Sequence, residues 1–296
     1  MVLGTAYRRS TTSMLNFFVD IANYEFLQRA LITAVIVGIL CGVLGSFIVL
    51  RGLALMGDAI SHAVLPGVAI SYMIGINYFF GAFLFGILTA LGIGAISQHS
   101  RIKTDSSIGI VFSAFLALGV ILIARAQSAV DLTQILFGNI LAVRATDMWM
   151  TIIVGAIVLL VVTASYKELL VSTFDPTMAA AYGLPIRAIH YGLMVMLTLV
   201  TVAALQTVGV ILVVALLVTP ASAANLLTNR LSVMILLASL FGTIASVVGL
   251  YFSFEYNLPS GAVIVLVTAG IFAVVFLVAP TQGLIPRWVR SRRTDA

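Results

Sequence analysis

The sequence predicts an all-α protein, a polytopic membrane helix bundle of about nine transmembrane segments. Three observations carry this expectation. Of the 296 residues, 62% are hydrophobic and only 8% are charged, where a soluble domain carries about 25% charged residues. The mean hydropathy is +1.20, so too little polar surface exists to cover a globule in water. The basic residues behind the net charge of +5 sit at the ends of apolar runs, which marks membrane topology rather than nucleic-acid binding.

Three regions are expected: an N-terminal leader and amphipathic segment (1–26), a transmembrane domain (27–281) and a basic tail (282–296). The leader holds Arg8 and Arg9, then Ser and Thr, without a compact apolar core and small-residue cleavage site, so no cleavable signal peptide is expected. Residues 14–29 read as an amphipathic lead-in at the outer interface. A spanning helix needs about 20 apolar residues, and 31–50 supplies the first without a charge. Residues 59–100 contain no Asp, Glu, Lys or Arg over 42 positions. As one helix they would run about 63 Å, twice the hydrocarbon thickness of about 30 Å. The chain must turn, and Gly75-Ile-Asn-Tyr78 is the place, which leaves spans at 59–74 and 79–97. Spans four and five are 106–124 and 148–166. Residues 188–229 are again charge-free over 42 positions and must divide, near Gln206-Thr-Val-Gly209. A re-entrant half-helix there would reduce the count to eight. Spans eight and nine are 231–252 and 261–279. Cys41 is the single cysteine, lies in an apolar run and has no partner in the chain.

Lys and Arg set the orientation. Arg51, Arg101, Lys103, the loop 167–187, Arg230 and the tail fall on one side, with Arg125, Arg144 and the remote Arg8 and Arg9 opposite. The basic side is therefore expected to be cytoplasmic, with the C-terminus inside and the N-terminus outside.

Two loops are long enough to carry structure. In the outer one, Asp131-Leu-Thr-Gln-Ile-Leu-Phe-Gly138 reads as a short amphipathic helix with Asp131 as N-cap and Gly138 as C-cap; Asp147 also reads as a cap. In the inner one, Asp175 takes an N-cap position, Pro176 the first helical position and Gly183 a C-cap position. This predicts a two-turn helix over 176–182. Its small apolar residues, Ala179, Ala180 and Ala181 beside Met178 and Tyr182, are not expected to face water. The helix should bury against the protein's own inner surface or against a soluble partner.

Chemistry concentrates at Asp58 and His62. They lie four residues apart, one helical turn, and share a face. A charge at membrane depth is costly and by default functional, and a carboxylate with a neutral imidazole makes two good ligands for a divalent metal. The plainer reading has Asp58 capping a helix at the interface, seven residues after Arg51, and His62 as a hydrogen-bonded structural group. Pro66 and Gly67 come next and loosen the helix. His99 and His190 read as interfacial, Glu255 and Asn257 as solvent-facing, and Thr219-Pro220 and Asn225 as interruptions of the seventh span. There is no G-x-x-x-x-G-K-[ST], so the chain does not bind ATP by a P-loop, and neither H-E-x-x-H nor a Cys pair is present to build a zinc protease or structural zinc site.

These residues carry a resemblance. Phe47-Ile-Val-Leu-Arg-Gly52 followed by Gly57-Asp-Ala-Ile-Ser-His-Ala-Val-Leu-Pro-Gly67 resembles the signature of the permease subunits of bacterial ABC importers for manganese and zinc. Phe115-Leu-Ala-Leu-Gly119, Ile135-Leu-Phe-Gly-Asn-Ile-Leu-Ala142, the loop 175–183 and Leu217-Val-Thr-Pro-Ala221 extend the match from about residue 26 to 279. Residues 1–13 have no counterpart in it. Ser-His-Ala-Val-Leu-Pro is most similar to the manganese branch. The resemblance implies a type II ABC importer-like fold and a homodimer in the bacterial cell membrane. It implies a dimer of cytoplasmic ATPase subunits and an extracytoplasmic metal-binding protein as partners. Asp58 and His62 would be metal ligands in the path. Asp175, Pro176, Ala179, Ala180 and Gly183 would form the coupling helix seated on the ATPase. The chain itself would be no enzyme and would hold no covalent cofactor; its cargo would be Mn²⁺, or alternatively Zn²⁺ or Fe²⁺. An autonomous secondary cation carrier or channel is the competing reading. An intramembrane enzyme lacks a nucleophile–base arrangement, and a siderophore or cobalamin permease leaves the Asp–His pair unexplained.

Overall fold

The computed structural model describes residues 21–125 and 138–279. Among them every regular element is helical, and nine stretches are long and apolar enough to cross a membrane. Helix α1, Glu25–Leu50, has 26 residues, about 39 Å at the α-helical rise. The break nearest the expected end of the lead-in at residue 29 falls earlier, at Tyr24, whose extended backbone (φ -112, ψ 110) separates the helical residues 21–23 from α1. Nothing between Tyr24 and Leu31 breaks a helix, and Glu25 and Arg29 neutralise each other one turn apart at the exposed end. Gly52, at φ +67, reverses the chain after α1, and the Leu53 amide donates back to the Ile48 carbonyl at 2.9 Å.

The second crossing is two helices, α2 (Ala54–Ala63) and α3 (Leu65–Ile74), joined at Val64. Pro66 has no N–H to give the His62 carbonyl four residues back, which interrupts the helical ladder beside the imidazole. The turn expected at 75–78 is present. Gly75 takes the left-handed conformation at φ 78, and the Asn77 side chain accepts from the Phe79 amide to start α4, Tyr78–His99. Helix α5, Thr104–Arg125, makes the return. Of the expected outer helix, Asp131 lies outside the described residues; Gly138, at φ +57, presses its backbone against Val208 and Gly209, where no side chain would fit.

A single 3₁₀ turn, Ile140–Ala142, leads into α6, Ala145–Ala164. Asp147 does not cap it. Arg144 holds the cap position, and Asp147 lies in the first turn, where a negative charge is still favoured by the helix dipole. Helices α7 (Tyr166–Phe174) and α8 (Pro176–Ala181) are short. Helix α9, Ile186–Val208, and α10, Val210–Leu227, divide at Gly209, φ +83, within the break expected at 206–209. Helices α11 (Leu231–Tyr256) and α12 (Ser260–Val278) complete the chain.

Contacts between distant segments define two faces of the bundle. On one, the Ile140 amide donates to Ser260 Oγ at 3.2 Å, and the Phe26 and Phe254 rings lie 6.4 Å apart. On the other, the basic face, Arg51 reaches α7. Helix α1 is central and packs on α6, α10 and α11, while α12 lies on α10 and α11. Helices α2 and α3 pack on α4 and α5, and α2 also meets α9 and α10.

Small residues make the central contacts possible. Lipid tails give no hydrophobic drive for helix association, so close backbone approach matters more. Gly38 and Gly42 of α1 pack on the backbone of Gly242 and Ser239 in α11, and Gly45 packs on the Leu217 carbonyl of α10. A Cβ on Gly42 would lie 2.5 Å from the Ser239 nitrogen. Gly42→Val should therefore destabilise the bundle by about 1–3 kcal/mol or more, the range for overpacking. Gly109→Ala, with open space around it, should be neutral. Thermal unfolding of both variants in detergent checks this; equal midpoints would disprove the close contact.

Candidate metal site and the capped short helix

Helix α2 is covered on most of its circumference: Met56, Gly57, Ala59, Ile60, Ser61 and Ala63 are all buried. The remaining stripe carries Asp58 and His62. Their side chains come together, with Asp58 Oδ1 3.5 Å from His62 Nε2. Two donors bound at about 2.1 Å to one ion in tetrahedral geometry would be about 3.4 Å apart. The observed separation is thus one that a shared cation fits. The Asp58 side chain is 48% exposed and that of His62 23% exposed in the single chain, so the pair opens to one side. The Phe112 ring of α5 stands edge-on to the imidazole at 5.7 Å and limits its swing. Ser61 lies on the buried side of α2, where its hydroxyl donates to the Gly57 carbonyl at 2.8 Å. Among the described residues no cluster of three or more His, Cys, Asp or Glu side chains occurs. Among the described residues, Asp58 and His62 therefore have no third side chain of these types beside them.

The other polar positions stay apart from this pair. His99 is exposed at the end of α4, its Nδ1 3.1 Å from the Ala95 carbonyl. His190 is half-buried at the start of α9 and stands edge-on to Tyr191. Asn225 is exposed and Pro220 is buried within α10. Asn257 ends α11 in the left-handed conformation, and Glu255 is half-buried.

Helix α8 forms as its local sequence requires. Asp175 caps it: the carboxylate accepts from the Met178 amide at 2.9 Å and from the Thr177 hydroxyl at 2.6 Å. The Thr177 and Met178 bonds hold the Asp175 carboxyl below the usual carboxylate range. Pro176 occupies the first turn. Gly183, at φ +77, closes the C-terminus while the Leu184 amide donates to the Ala179 carbonyl at 3.1 Å. Only Ala179 is buried in this helix. The protein's own surface leaves Met178 of α8 49% exposed, with Phe174 at the end of α7 58% exposed and Tyr182, the C-cap, 71% exposed. Ala180 is exposed beside them.

Two features escaped the sequence reading. Phe112 is one aromatic among many in an apolar span, and nothing local marks it. Arg51 looks like an ordinary topogenic charge, yet its guanidinium binds Ser172 and Thr173 of α7.

Among the described residues, nine helices long and apolar enough to cross a membrane, with backbone polar groups paired within them, define a polytopic membrane protein. The ABC 3 transport family matches residues 23–279, and the chain belongs to that family. It is 64% identical over 269 residues to the manganese transport system membrane protein MntC of Listeria monocytogenes, covering 91% of this chain and 96% of that one. It is 52% identical over 274 residues to the manganese import system permease protein ScaB of Streptococcus gordonii, covering 93% and 99%. Among solved structures, PsaBC from Streptococcus pneumoniae in complex with Fab superposes with a TM-score of 0.84 at 50% identity, covering 95% of this chain and all of that one.

Removal of the cap tests the local account of α8. Because the carboxyl is held low, its stabilisation is present above the ordinary carboxylate pKa and is lost as pH falls through the lowered value. At neutral pH, Asp175→Ala should speed hydrogen exchange at the Met178 amide severalfold and leave α11 unchanged. Unaltered exchange at Met178 would remove Asp175 from the cap.

Proposed function

We propose that this chain is the permease subunit of an ATP-driven importer of divalent transition metal, with Mn²⁺ as its cargo, in the bacterial cell membrane. The observation that carries the reading is the Asp58–His62 pair, 3.5 Å apart on the open stripe of an otherwise buried helix. The names of the relatives at 64% and 52% identity support manganese.

A pair of ligands is too few to hold an ion stripped of water. A second copy of the chain, related by a two-fold axis through the path, doubles the set to two carboxylates and two imidazoles. Two Asp charges then balance one M²⁺, which makes the loaded site near neutral and tolerable in a low dielectric. Mixed nitrogen and oxygen ligands accept Mn²⁺, Zn²⁺ and Fe²⁺, and equilibrium affinity favours zinc over manganese. Preference for Mn²⁺ therefore comes from site geometry and from the extracytoplasmic metal-binding protein that delivers the ion. The metal is cargo, and no resident cofactor is required.

The basic face is cytoplasmic by the positive-inside rule, which places the C-terminus inside and the N-terminus outside. It also places α8 in the cytoplasm. There Met178 and Ala180, flanked by Phe174 and Tyr182, seat in a groove of a separate ATPase dimer, which performs the hydrolysis. This chain binds and passes the ion and is not itself an enzyme.

Asp58→Ala and His62→Ala should each reduce uptake of radiolabelled Mn²⁺ to the level of cells lacking the chain, with folding and ATPase association intact. Normal accumulation in both would refute the assignment. Ala180→Glu should weaken co-purification of the ATPase and lower uptake in parallel. If both stay at wild-type levels, α8 is not the coupling element.

A further inference from the structure

Arg51 occupies an unusual position. It is the C-cap of α1, and only Gly52 and Leu53 separate it from α2, the helix that bears Asp58 and His62. Its guanidinium reaches the last turn of α7. Nε donates to Thr173 Oγ1 at 3.0 Å and Nη2 to Ser172 Oγ at 2.8 Å. Both hydroxyls are themselves anchored, Ser172 Oγ donating to the Leu169 carbonyl at 3.2 Å and Thr173 Oγ1 to the same carbonyl at 2.6 Å. The cation thus lies at the C-terminal ends of two helices, α1 and α7, where the helix dipoles favour positive charge. Among the described residues it makes no ion pair within 4.0 Å. A charge placed only for topology needs no fork of two bonds to residues 121 and 122 positions away.

The neighbours of Ser172 and Thr173 give the contact its meaning. Phe174 is the next residue, and Asp175 then caps α8. The path from α8 to the metal-bearing helix is therefore short: the last turn of α7, the planar guanidinium, and a three-residue turn closed by the Leu53–Ile48 hydrogen bond. Arg suits such a link, because its rigid fork fixes direction as well as distance, which a lysine ammonium does not.

We propose that Arg51 is a positioning residue that ties α8 to α2, so that displacement of α8 by the ATPase is delivered to the helix holding Asp58 and His62. The proposal rests on the importer reading. It adds that movement passes through the Arg51–Ser172/Thr173 fork rather than through the bundle as a whole.

The test uses the complete transporter, permease with its ATPase, in vesicles supplied with the manganese-loaded binding protein. The readout is Mn²⁺ moved per ATP hydrolysed. Arg51→Ala should leave ATP hydrolysis in place and lower this ratio about tenfold, the scale expected for loss of a charge-assisted hydrogen-bonded contact. Ser172→Ala with Thr173→Val keeps Arg51 and removes its acceptors; it should lower the ratio similarly. Combining all three changes should add little, since they break one interaction. Arg51→Lys should recover part of the ratio; full recovery would mean that charge alone suffices and would overturn the proposal. If Arg51→Ala fails to assemble, the hydroxyl variant decides. An unchanged ratio in that variant, with the complex intact, overturns the link. Wild-type vesicles that move the metal without ATP would instead refute the importer reading, a separate failure.

Discussion

A divalent ion cannot enter hydrocarbon without its water unless opposite charge and donor atoms meet it there. In this chain the groups proposed to do so are a carboxylate and an imidazole one turn apart, held on α2. The surrounding packing serves that requirement. Helices α4, α5, α9 and α10 cover the rest of α2, Phe112 stands against the imidazole, and one stripe stays open. Glycines on α1 let α10 and α11 approach closely, and α10 in turn packs on α2. The proposed two-fold partner completes the donor set from the open side.

The proposed transport cycle needs the same helix to respond to events at the basic face. Helix α8 is built for contact: both ends are closed by local hydrogen bonds, and Met178, with Phe174 and Tyr182 flanking the helix, is left uncovered by the chain itself. A helix of six residues is too short to persist on intrinsic propensity. Its Asp175 and Gly183 caps make it a defined object on which a partner can push. Rigid capping at α8 and an open pair at α2 thus sit at opposite ends of one short mechanical route.

Much of this was legible in the sequence where the cause was local. Length alone forced a turn in 59–100 and in 188–229, and Gly75 and Gly209 stand at the breaks. Asp175, Pro176 and Gly183 announced α8 because caps act within four residues. Asp58 and His62 were legible because helical spacing alone brings them to one face. The misreadings have physical causes as well. Composition put the end of an amphipathic lead-in at residue 29, but the helix breaks at Tyr24 and the first span already begins at Glu25, with Arg29 paired to Glu25. Asp147 has the right residue type for a cap, yet the helix begins at Ala145, two residues ahead of it. The Arg51 fork and the glycine contacts of α1 join segments distant in sequence. No local pattern encodes them.

The central claim concerns one ion held between two chains, and metal content tests it most directly. The purified permease–ATPase complex, loaded with Mn²⁺ and freed of excess, should retain about one ion per two permease chains, as a shared site on a two-fold axis requires. Its electron paramagnetic resonance should show coupling to imidazole nitrogen that disappears in His62→Ala. Two ions per pair of chains, or the same nitrogen coupling after His62 is removed, would contradict the claim.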